Sequence, residues 1–221
     1  MSDVATLLGK QVTVKLSGDQ IFEGILTDIG QDILVIFNGL KYYYIPWMHI
    51  HMVHLSLQLK EKINEPIEPS IGEELETISY RKILINAKGI FSEIYVTGNI
   101  TFHGYIIGVL SDYFVFYSPV FKTMYISLSH LKWITPYNHR VIPYNLSNES
   151  LPVHPSNSPL HRSLENQLKK NEGKLVIFDG GSDPMKIGLL NKVENNLIEL
   201  FVASGEIVHL KLSHIKSVHL P

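Results

Sequence analysis

The apolar and polar positions along the chain follow one order of patterns that occurs three times. Residues 2–8 have the short period of a helical turn, and residues 11–16 then alternate between apolar and polar, as in a half-buried β-strand. Four more strand-like runs follow, and Asn38-Gly39 between two of them is a strong hairpin signal. The first pattern therefore predicts one short helix followed by five strands.

The same order returns after two stretches of different composition. Residues 58–72 are acidic and punctuated by proline, and residues 137–158 are rich in Pro, Asn, Ser and His, so both are typical of linkers. Helices are predicted at 73–87 and 160–171, each followed by five strands. The predicted modules are therefore 1–57, 73–136 and 159–221.

Glycine and histidine occupy matching places in each module. One glycine precedes a second by fifteen residues, and a histidine follows the second after twenty-five or twenty-six residues. Such spacing indicates an internal triplicate. The second glycine lies inside a strand pattern, which is typical of a sharp bend. The histidine opens the last strand, where its ring is predicted to bond a backbone group of the preceding corner. These repeat anchors are Gly9, Gly24, His49, Gly89, Gly104, His130, Gly173, Gly188 and His214.

Five strongly bent strands in a short module predict a small, partly open barrel that resembles the Sm-like or SH3-like type. The expected fold class is all-β with short helices, as three tandem five-stranded barrels that each follow a short helix. Modules of about 50–65 residues lie near the lower limit for a single stable core. We therefore expect the modules to pack on one another or on copies of themselves.

Composition and charge exclude several classes of function. The chain has 221 residues and a net charge of −2, so it lacks the overall basic character of a nucleic-acid binder. It has no cysteine, which excludes disulfides, thiolate catalysis and cysteine zinc sites. Residues 2–8 show no signal-peptide pattern, and no apolar run approaches the roughly 18 residues that span a bilayer. We expect no membrane insertion.

No arrangement of residues typical of catalysis is visible in the sequence. The glycine-rich stretch 180–184 lacks the lysine and the following helix of a phosphate-binding loop, so a hairpin turn is predicted there. His49, His51 and His54 form a tight cluster, but alternation places them on both faces of a strand. We therefore predict no catalytic, cofactor-binding or metal site. A histidine metal site is kept as a minor hypothesis, which His51→Ala would test.

The chain has more aromatic side chains than three small cores hold. Aromatic residues are enriched at interfaces, and open sheets leave strand edges that pair with neighbours. These rings either seal one module against the next within the chain or serve self-association between chains, and the sequence leaves both open. The candidate interface residues are Tyr42, Tyr44, Trp47, Tyr117, Tyr125 and Trp133.

RNA binding is the alternative function, because Sm-like barrels often bind RNA. The RNA-binding members use an Arg-Gly or Lys-Gly turn before the last strand. The corresponding turns here, at 46–48, 127–129 and 211–213, contain neither dipeptide. The sequence therefore does not favour a nucleic-acid partner.

The third repeat carries three phrases in order: Gly-Gly-Ser-Asp-Pro at 180–184, Lys-Ile-Gly-Leu-Leu at 186–190 and His-Ile-Lys-Ser-Val at 214–218. In these phrases the chain resembles the spore coat protein B family of endospore-forming Bacillus-like bacteria. The first two repeats keep the glycine and histidine anchors and little else. The resemblance implies a non-enzymatic structural protein of the spore coat, made in the mother-cell cytoplasm without a signal peptide. Its implied partners are other spore coat proteins.

Overall fold

The structure is a computed structural model that describes residues 2–56, 63–66, 68–72, 77–138, 141–145 and 159–221. These residues form three short α-helices and fifteen β-strands, in the order predicted for three repeats. The first repeat contains α1 (Ser2–Ala5), β1 (Gln11–Leu16), β2 (Ile21–Ile29), β3 (Ile33–Phe37), β4 (Tyr42–Pro46) and β5 (Ile50–Leu55). The second contains α2 (Tyr80–Asn86), β6 (Phe91–Val96), β7 (Ile100–Val109), β8 (Tyr113–Ser118), β9 (Lys122–Ser127) and β10 (Leu131–Pro136). The third contains α3 (Leu164–Lys169), β11 (Leu175–Phe178), β12 (Ile187–Glu194), β13 (Leu197–Val202), β14 (Ile207–Lys211) and β15 (Ser217–His219).

All the described strands belong to one antiparallel sheet. Within each repeat the strands lie in the order four, three, two, one, five. The fourth strand of one repeat pairs with the fifth strand of the next, as β4 with β10 and β9 with β15. The predicted all-β class with short helices is confirmed. Three separate barrels are not confirmed, because these pairings join the repeats into one open sheet.

The helices are shorter than the sequence pattern predicts. The helix predicted at 160–171 is Leu164–Lys169, because the side chain of Ser163 accepts a hydrogen bond from Asn166 N and caps the first turn. Ser79 caps α2 in the same way. Residues 73–76 of the helix predicted at 73–87 lie outside the described residues, as does most of the linker predicted at 137–158.

The anchor glycines take the same geometry in all three repeats. Those that precede the first strand have positive φ, and their N–H groups donate to Leu26 O, Ile106 O and Leu190 O at 2.8, 3.2 and 2.8 Å. Those inside the second strand pass close to the third strand, so a Cβ on Gly104 would lie 2.0 Å from Tyr117 O. A Cβ on Gly188 would lie 2.2 Å from Phe201 O. Both glycine positions are therefore required by the backbone.

The stretch 180–184 differs from the predicted simple hairpin turn. Two 3₁₀ turns, Asp179–Gly181 and Pro184–Lys186, connect β11 with β12. Gly180 and Gly181 both have positive φ, and the side chain of Asp183 accepts a hydrogen bond from Met185 N. The chain still reverses here, but through two tight turns in succession.

The hydrophobic core consists of three clusters, and each cluster contains side chains from two adjacent repeats. The first core, built on β1 to β4, also contains Trp133 of the second repeat. The second core contains Tyr44 of the first repeat. The third core contains Tyr113 and Val115 of the second repeat. Adjacent repeats are thus packed through shared cores.

Candidate interface: the joints between repeats and the two outer strand edges

Two joints between repeats use the same register. At the first joint, between β4 and β10, Tyr44 lies opposite Ile134. At the second, between β9 and β15, Tyr125 lies opposite Val218. Tyr44 and Tyr125 each stand five residues before the anchor histidine of their repeat, and Ile134 and Val218 each stand four residues after theirs. The two joints are therefore structurally equivalent.

The following repeat covers both tyrosines of the joints, Tyr44 fully and Tyr125 in part. Tyr44 belongs to the second core, and its hydroxyl accepts a hydrogen bond from Ile71 N at 2.6 Å. Burial raises the pKa of Tyr44 well above its usual value. Tyr125 packs against the third core, and its hydroxyl accepts a hydrogen bond from Gln167 Nε2 at 3.1 Å. Both rings lie between two repeats of one chain.

Trp133 fills the same role from the opposite side of the first joint. It is 5% exposed and stacks on Tyr95 with ring centroids 3.9 Å apart. Its ring meets Phe22 of the first repeat edge-on at 4.9 Å. Although Trp133 belongs to the second repeat, it contributes to the first core.

The remaining predicted interface residues also contact other parts of the chain. The Tyr42 hydroxyl donates to Glu68 O at 2.7 Å, and Trp47 Nε1 donates to Gly30 O at 3.2 Å. Tyr117 is half-buried and lies opposite Tyr105 in the β7–β8 pairing.

The three anchor histidines differ in their surroundings. His130 Nε2 donates to Ser213 O at 2.9 Å, and Nδ1 lies 2.8 Å from Thr97 Oγ1. The bonded carbonyl belongs to the corner of the next repeat and not to the preceding corner, where the sequence pattern predicts the bond. His49 is 7% exposed at the first joint, and His214 of the third repeat is exposed.

The buried His49 is held in its neutral form. Burial lowers the pKa of His49 to about 4, and the nearby Lys132 and His130 add to the shift. The backbone of Ser129 and Leu131 opposes the shift, but no described group meets hydrogen-bond geometry with Nε2 of His49. This imidazole therefore acts as a packed ring between two repeats.

At both joints, a lysine two residues after the anchor histidine reaches the first hairpin of the preceding repeat. Lys132 Nζ donates to Ser17 O at 2.5 Å, and burial lowers the pKa of Lys132. Lys216 Nζ lies against the backbone at Gly98, the residue equivalent to Gly18 in the first repeat. These cations fix the turn of one repeat against the last strand of the next.

Asp179 is a buried charge that is not among the residues predicted from the sequence. Its carboxylate forms ion pairs with Lys186 at 2.5 Å and Lys216 at 3.5 Å, and it accepts a hydrogen bond from Lys216 N at 2.8 Å. Burial alone would raise the pKa of Asp179, but these cations and hydrogen bonds hold it below its usual value. Lys186 is seven residues from Asp179, but Lys216 lies 37 residues away, so no local motif marks the whole cluster.

The second turn of a repeat binds the start of the next helix. Asp32 Oδ1 accepts a hydrogen bond from Tyr80 N, the first residue of α2, at 2.8 Å. Asp112 Oδ1 accepts one from Leu164 N, the first residue of α3, at 2.9 Å. Both carboxylates are therefore occupied by backbone N–H groups at the start of a helix.

A groove of about 510 Å³ runs along the turns of all three repeats. Asp32 and Asp112 line it, and so does Arg81, whose guanidinium donates to Leu110 O and Ser111 O. The groove therefore combines two carboxylates with a cation that already contacts the backbone.

The two ends of the sheet remain open in the part of the chain that the structure describes. β5 lies at one end and β14 at the other, and neither has a partner strand on its outer side among these residues. Exposed apolar side chains lie on or beside both edges. They are Met48, Met52, Leu55, Leu197 and Ile207.

The other predicted sites are distributed as follows. His51 and His54 are exposed on β5, whereas His49 is buried. Within residues 2–56, 63–66, 68–72, 77–138, 141–145 and 159–221, no three His, Asp or Glu side chains are grouped to hold a metal ion. None of the described helices has the length and apolar character needed to cross a bilayer.

Comparison with known proteins places the chain in a family. The family model described as "YwrJ third domain" matches residues 163–218, which is nearly the whole third repeat. A relative from Bacillus subtilis (strain 168), described as "Uncharacterized protein YwrJ", is 50% identical over 225 residues, and the similarity covers 100% of both chains. The chain therefore belongs to the YwrJ family.

Proposed function

We propose that the chain is a non-enzymatic structural component of the bacterial spore coat. The observation that carries the proposal is the single sheet with an open strand edge at each end, flanked by exposed apolar side chains. Unpaired edges are templates for pairing with other chains, and exposed apolar residues beside them favour association. Such a protein assembles with other coat proteins through its module surfaces and strand edges.

Each five-strand group, in this proposal, is one Sm-like module at 1–57, 73–136 and 159–221. Three features support this assignment: the repeated strand order, the helix before each group and the close approach of the glycine of each second strand to the third strand. The pairing of fourth with fifth strands joins the modules within the chain.

The spore coat assignment rests on sequence resemblance. The phrases that resemble spore coat protein B lie at 180–184, 186–190 and 214–218, all within the segment matched by the family model. The full-length relative comes from a Bacillus species, which agrees with a family of Bacillus-like bacteria. The protein would be synthesised in the mother-cell cytoplasm and deposited on the forespore.

The localisation of a fluorescently tagged copy during sporulation tests the proposal. We expect a shell of fluorescence around the forespore that persists on the released spore. As the control, the fluorescent protein alone, expressed at the same time, should stay diffuse. Diffuse fluorescence of the tagged chain throughout the mother cell would contradict the coat assignment.

The Sm-like RNA-binding alternative has weaker support from the geometry. Asp32 and Asp112 already accept hydrogen bonds from helix termini, and the Arg81 guanidinium already contacts two carbonyls. A titration with generic RNA at two salt concentrations separates the two functions. Micromolar affinity that falls steeply with salt would favour RNA binding, since phosphate contacts release counterions.

A further inference from the structure

The two open edges of the sheet are the two halves of the joint that occurs twice inside the chain. Each internal joint pairs the fourth strand of one repeat with the fifth strand of the next. At the ends of the sheet, β14 is a fourth strand and β5 is a fifth strand. A third joint of the same kind therefore requires a second copy of the chain.

We propose that β14 of one copy pairs antiparallel with β5 of another copy. This inference rests on the proposed structural role and names the first partner as the chain itself. The internal joints define the register, since Tyr125 lies opposite Val218 and Met124 lies opposite His219. The equivalent pairs between copies are His209 with Val53 and Val208 with His54.

One backbone hydrogen bond of the second joint has equivalent donor and acceptor atoms at the two outer edges. In the second joint, Ser127 N donates to Lys216 O at 3.0 Å. The equivalent atoms between copies are Lys211 N and His51 O. At the first joint the equivalent of Ser127 is Pro46, which has no N–H, so the copy-to-copy joint has a donor that the first joint lacks.

Exposure at equivalent positions shows what such a joint would bury. Trp133 is 5% exposed inside the first joint, whereas the equivalent Met52 on β5 is 48% exposed. Ile134 and Val218 are fully buried, and the equivalent Val53 is half-buried. On the other side, Met124 is fully buried and the equivalent Val208 is half-buried. Both edges therefore carry apolar surface that the internal joints remove from water.

The contact between copies differs from the internal joints in polarity. The polar side chains of Glu199 and His209 lie next to each other, with Oε2 and Nε2 3.4 Å apart, where the first repeat has Val35 and Tyr44. Less apolar surface is buried around such a pair, so this joint is weaker than the internal ones and reversible. The two contacting surfaces differ, so the association is head-to-tail and produces rings when it closes or filaments when it does not.

Cysteine cross-linking tests both the contact and its register, because the chain has no native cysteine. Two single variants, His54→Cys and Val208→Cys, are purified, mixed and oxidised. In the second joint, Met124 and His219 form a non-hydrogen-bonded pair next to a hydrogen-bonded one. The Cα atoms of such non-hydrogen-bonded pairs lie about 4.5 Å apart, which is within disulfide range. We expect a covalent species of twice the chain mass.

Matched controls distinguish this contact from other arrangements. Leu55→Cys mixed with Val208→Cys shifts the register by one residue and moves the thiol to the other face of β5, so little linked dimer should form. His54→Cys oxidised alone should also stay unlinked. The proposal is overturned if the first mixture links no better than the shifted one. It is also overturned if His54→Cys alone links equally well, since β5 would then pair with itself.

The solution mass of the unmodified chain gives a second measurement. By light scattering, the mean mass should rise with concentration, and Met52→Lys should remove the rise because an edge lysine blocks strand pairing. Leu40→Lys, at a position 89% exposed on a hairpin, is the matched control and should associate like the parent. A mass of one chain at all concentrations would overturn the inference, while coat localisation of the tagged chain would still support the proposed function.

Discussion

At the scale of single residues, the glycine of the second strand is set by the neighbouring backbone. Gly104 on β7 stands so close to β8 that a Cβ would lie 2.0 Å from the carbonyl oxygen of Tyr117. A backbone oxygen cannot move away without disturbing the strand pairing. At Gly108, four residues further along β7, an added Cβ would make only ordinary contacts, the nearest with Leu160 Cδ1 at 3.7 Å.

Gly104→Ala should therefore lower the free energy of unfolding by about 1–3 kcal/mol, as overpacking does in other cores. Gly108→Ala should change it by less than about 0.5 kcal/mol or raise it slightly. Denaturant unfolding measures both variants. Equal stability of the two variants would show that β7 and β8 separate easily at Gly104.

His49 makes the stability of the chain depend on pH. Its folded pKa is about 4, below the usual value of 6.5, so between these values the unfolded chain binds a proton that the folded chain does not. The contribution of the neutral His49 ring to the free energy of unfolding is complete above pH 6.5 and is lost as the pH falls toward 4.

His49→Gln should reduce this acid loss by about 1–3 kcal/mol between pH 7 and pH 4, because the variant has no imidazole to protonate. His214→Gln, at the exposed equivalent position, should follow the parent chain. Unfolding free energies at several pH values between 4 and 7 give the comparison. If His49→Gln loses stability in parallel with the parent, His49 is protonated in the folded chain.

The sequence identified the anchor residues but not their partners. Equal spacing located Gly104 and His49 without any structure, because the same backbone geometry occurs in every repeat. The ring of His130, however, bonds Ser213, which lies 83 residues away. The contact of Asp179 with Lys216 has no local pattern, since it arises only when β15 lies beside β11.

At the scale of elements, each of the later helices is fixed by the repeat before it. Asp32 accepts the N–H of Tyr80, and Asp112 accepts that of Leu164. Each bond satisfies a backbone donor that a helix terminus otherwise leaves unpaired. The turn of one repeat thereby determines where the next helix begins.

Asp32→Ala and Asp112→Ala should each destabilise the chain by about 1 kcal/mol, the usual effect of losing a capping acceptor. Glu23→Ala, at an exposed position of β2, is the control and should have an effect of less than about 0.5 kcal/mol. Thermal unfolding with far-ultraviolet circular dichroism measures the three variants. An effect of Asp32→Ala no larger than that of the control would mean that water replaces this acceptor without loss.

Strand positions were easier to predict than helix boundaries. β1 has the predicted bounds, because alternation over six residues is a strong local signal. The helices are shorter because Ser79 and Ser163 form the caps, and apolar residues before the caps pack without being helical. A pattern of apolar residues alone does not separate these two cases.

At the scale of the whole molecule, the shared cores connect the stability of adjacent repeats. Trp133 lies in the second repeat but packs into the first core against Phe22. Removal of its side chain leaves a cavity that two repeats line. Adjacent repeats should therefore unfold together.

Trp133→Ala should lower the unfolding free energy by about 3–5 kcal/mol. Hydrogen exchange should become faster in β2 of the first repeat as well as in β6 of the second. Leu197→Ala, half-exposed on β13, is the control and should leave exchange in β2 unchanged. Faster exchange confined to the second repeat would show that the first core is independent of Trp133.

The joints themselves lay beyond what the sequence predicts. The local patterns indicate three groups of five strands, and they are equally compatible with three closed barrels. Which strand edges meet is decided by the packing of Tyr44 and Tyr125 against the following repeat. The residues opposite these two tyrosines lie about ninety positions further along the chain. The aromatic surplus marked these residues as candidates without deciding between contacts within the chain and contacts between chains.

The shared cores also change what counts as a separable fragment of this protein. The third core includes Tyr113 and Val115, which precede residue 159, so a fragment of 159–221 would leave behind part of its own interior. A fragment that begins before β7 would keep that interior, although it cuts through the second repeat. The sequence repeat and the unit that can be excised therefore have different boundaries, offset by the four strands β7 to β10.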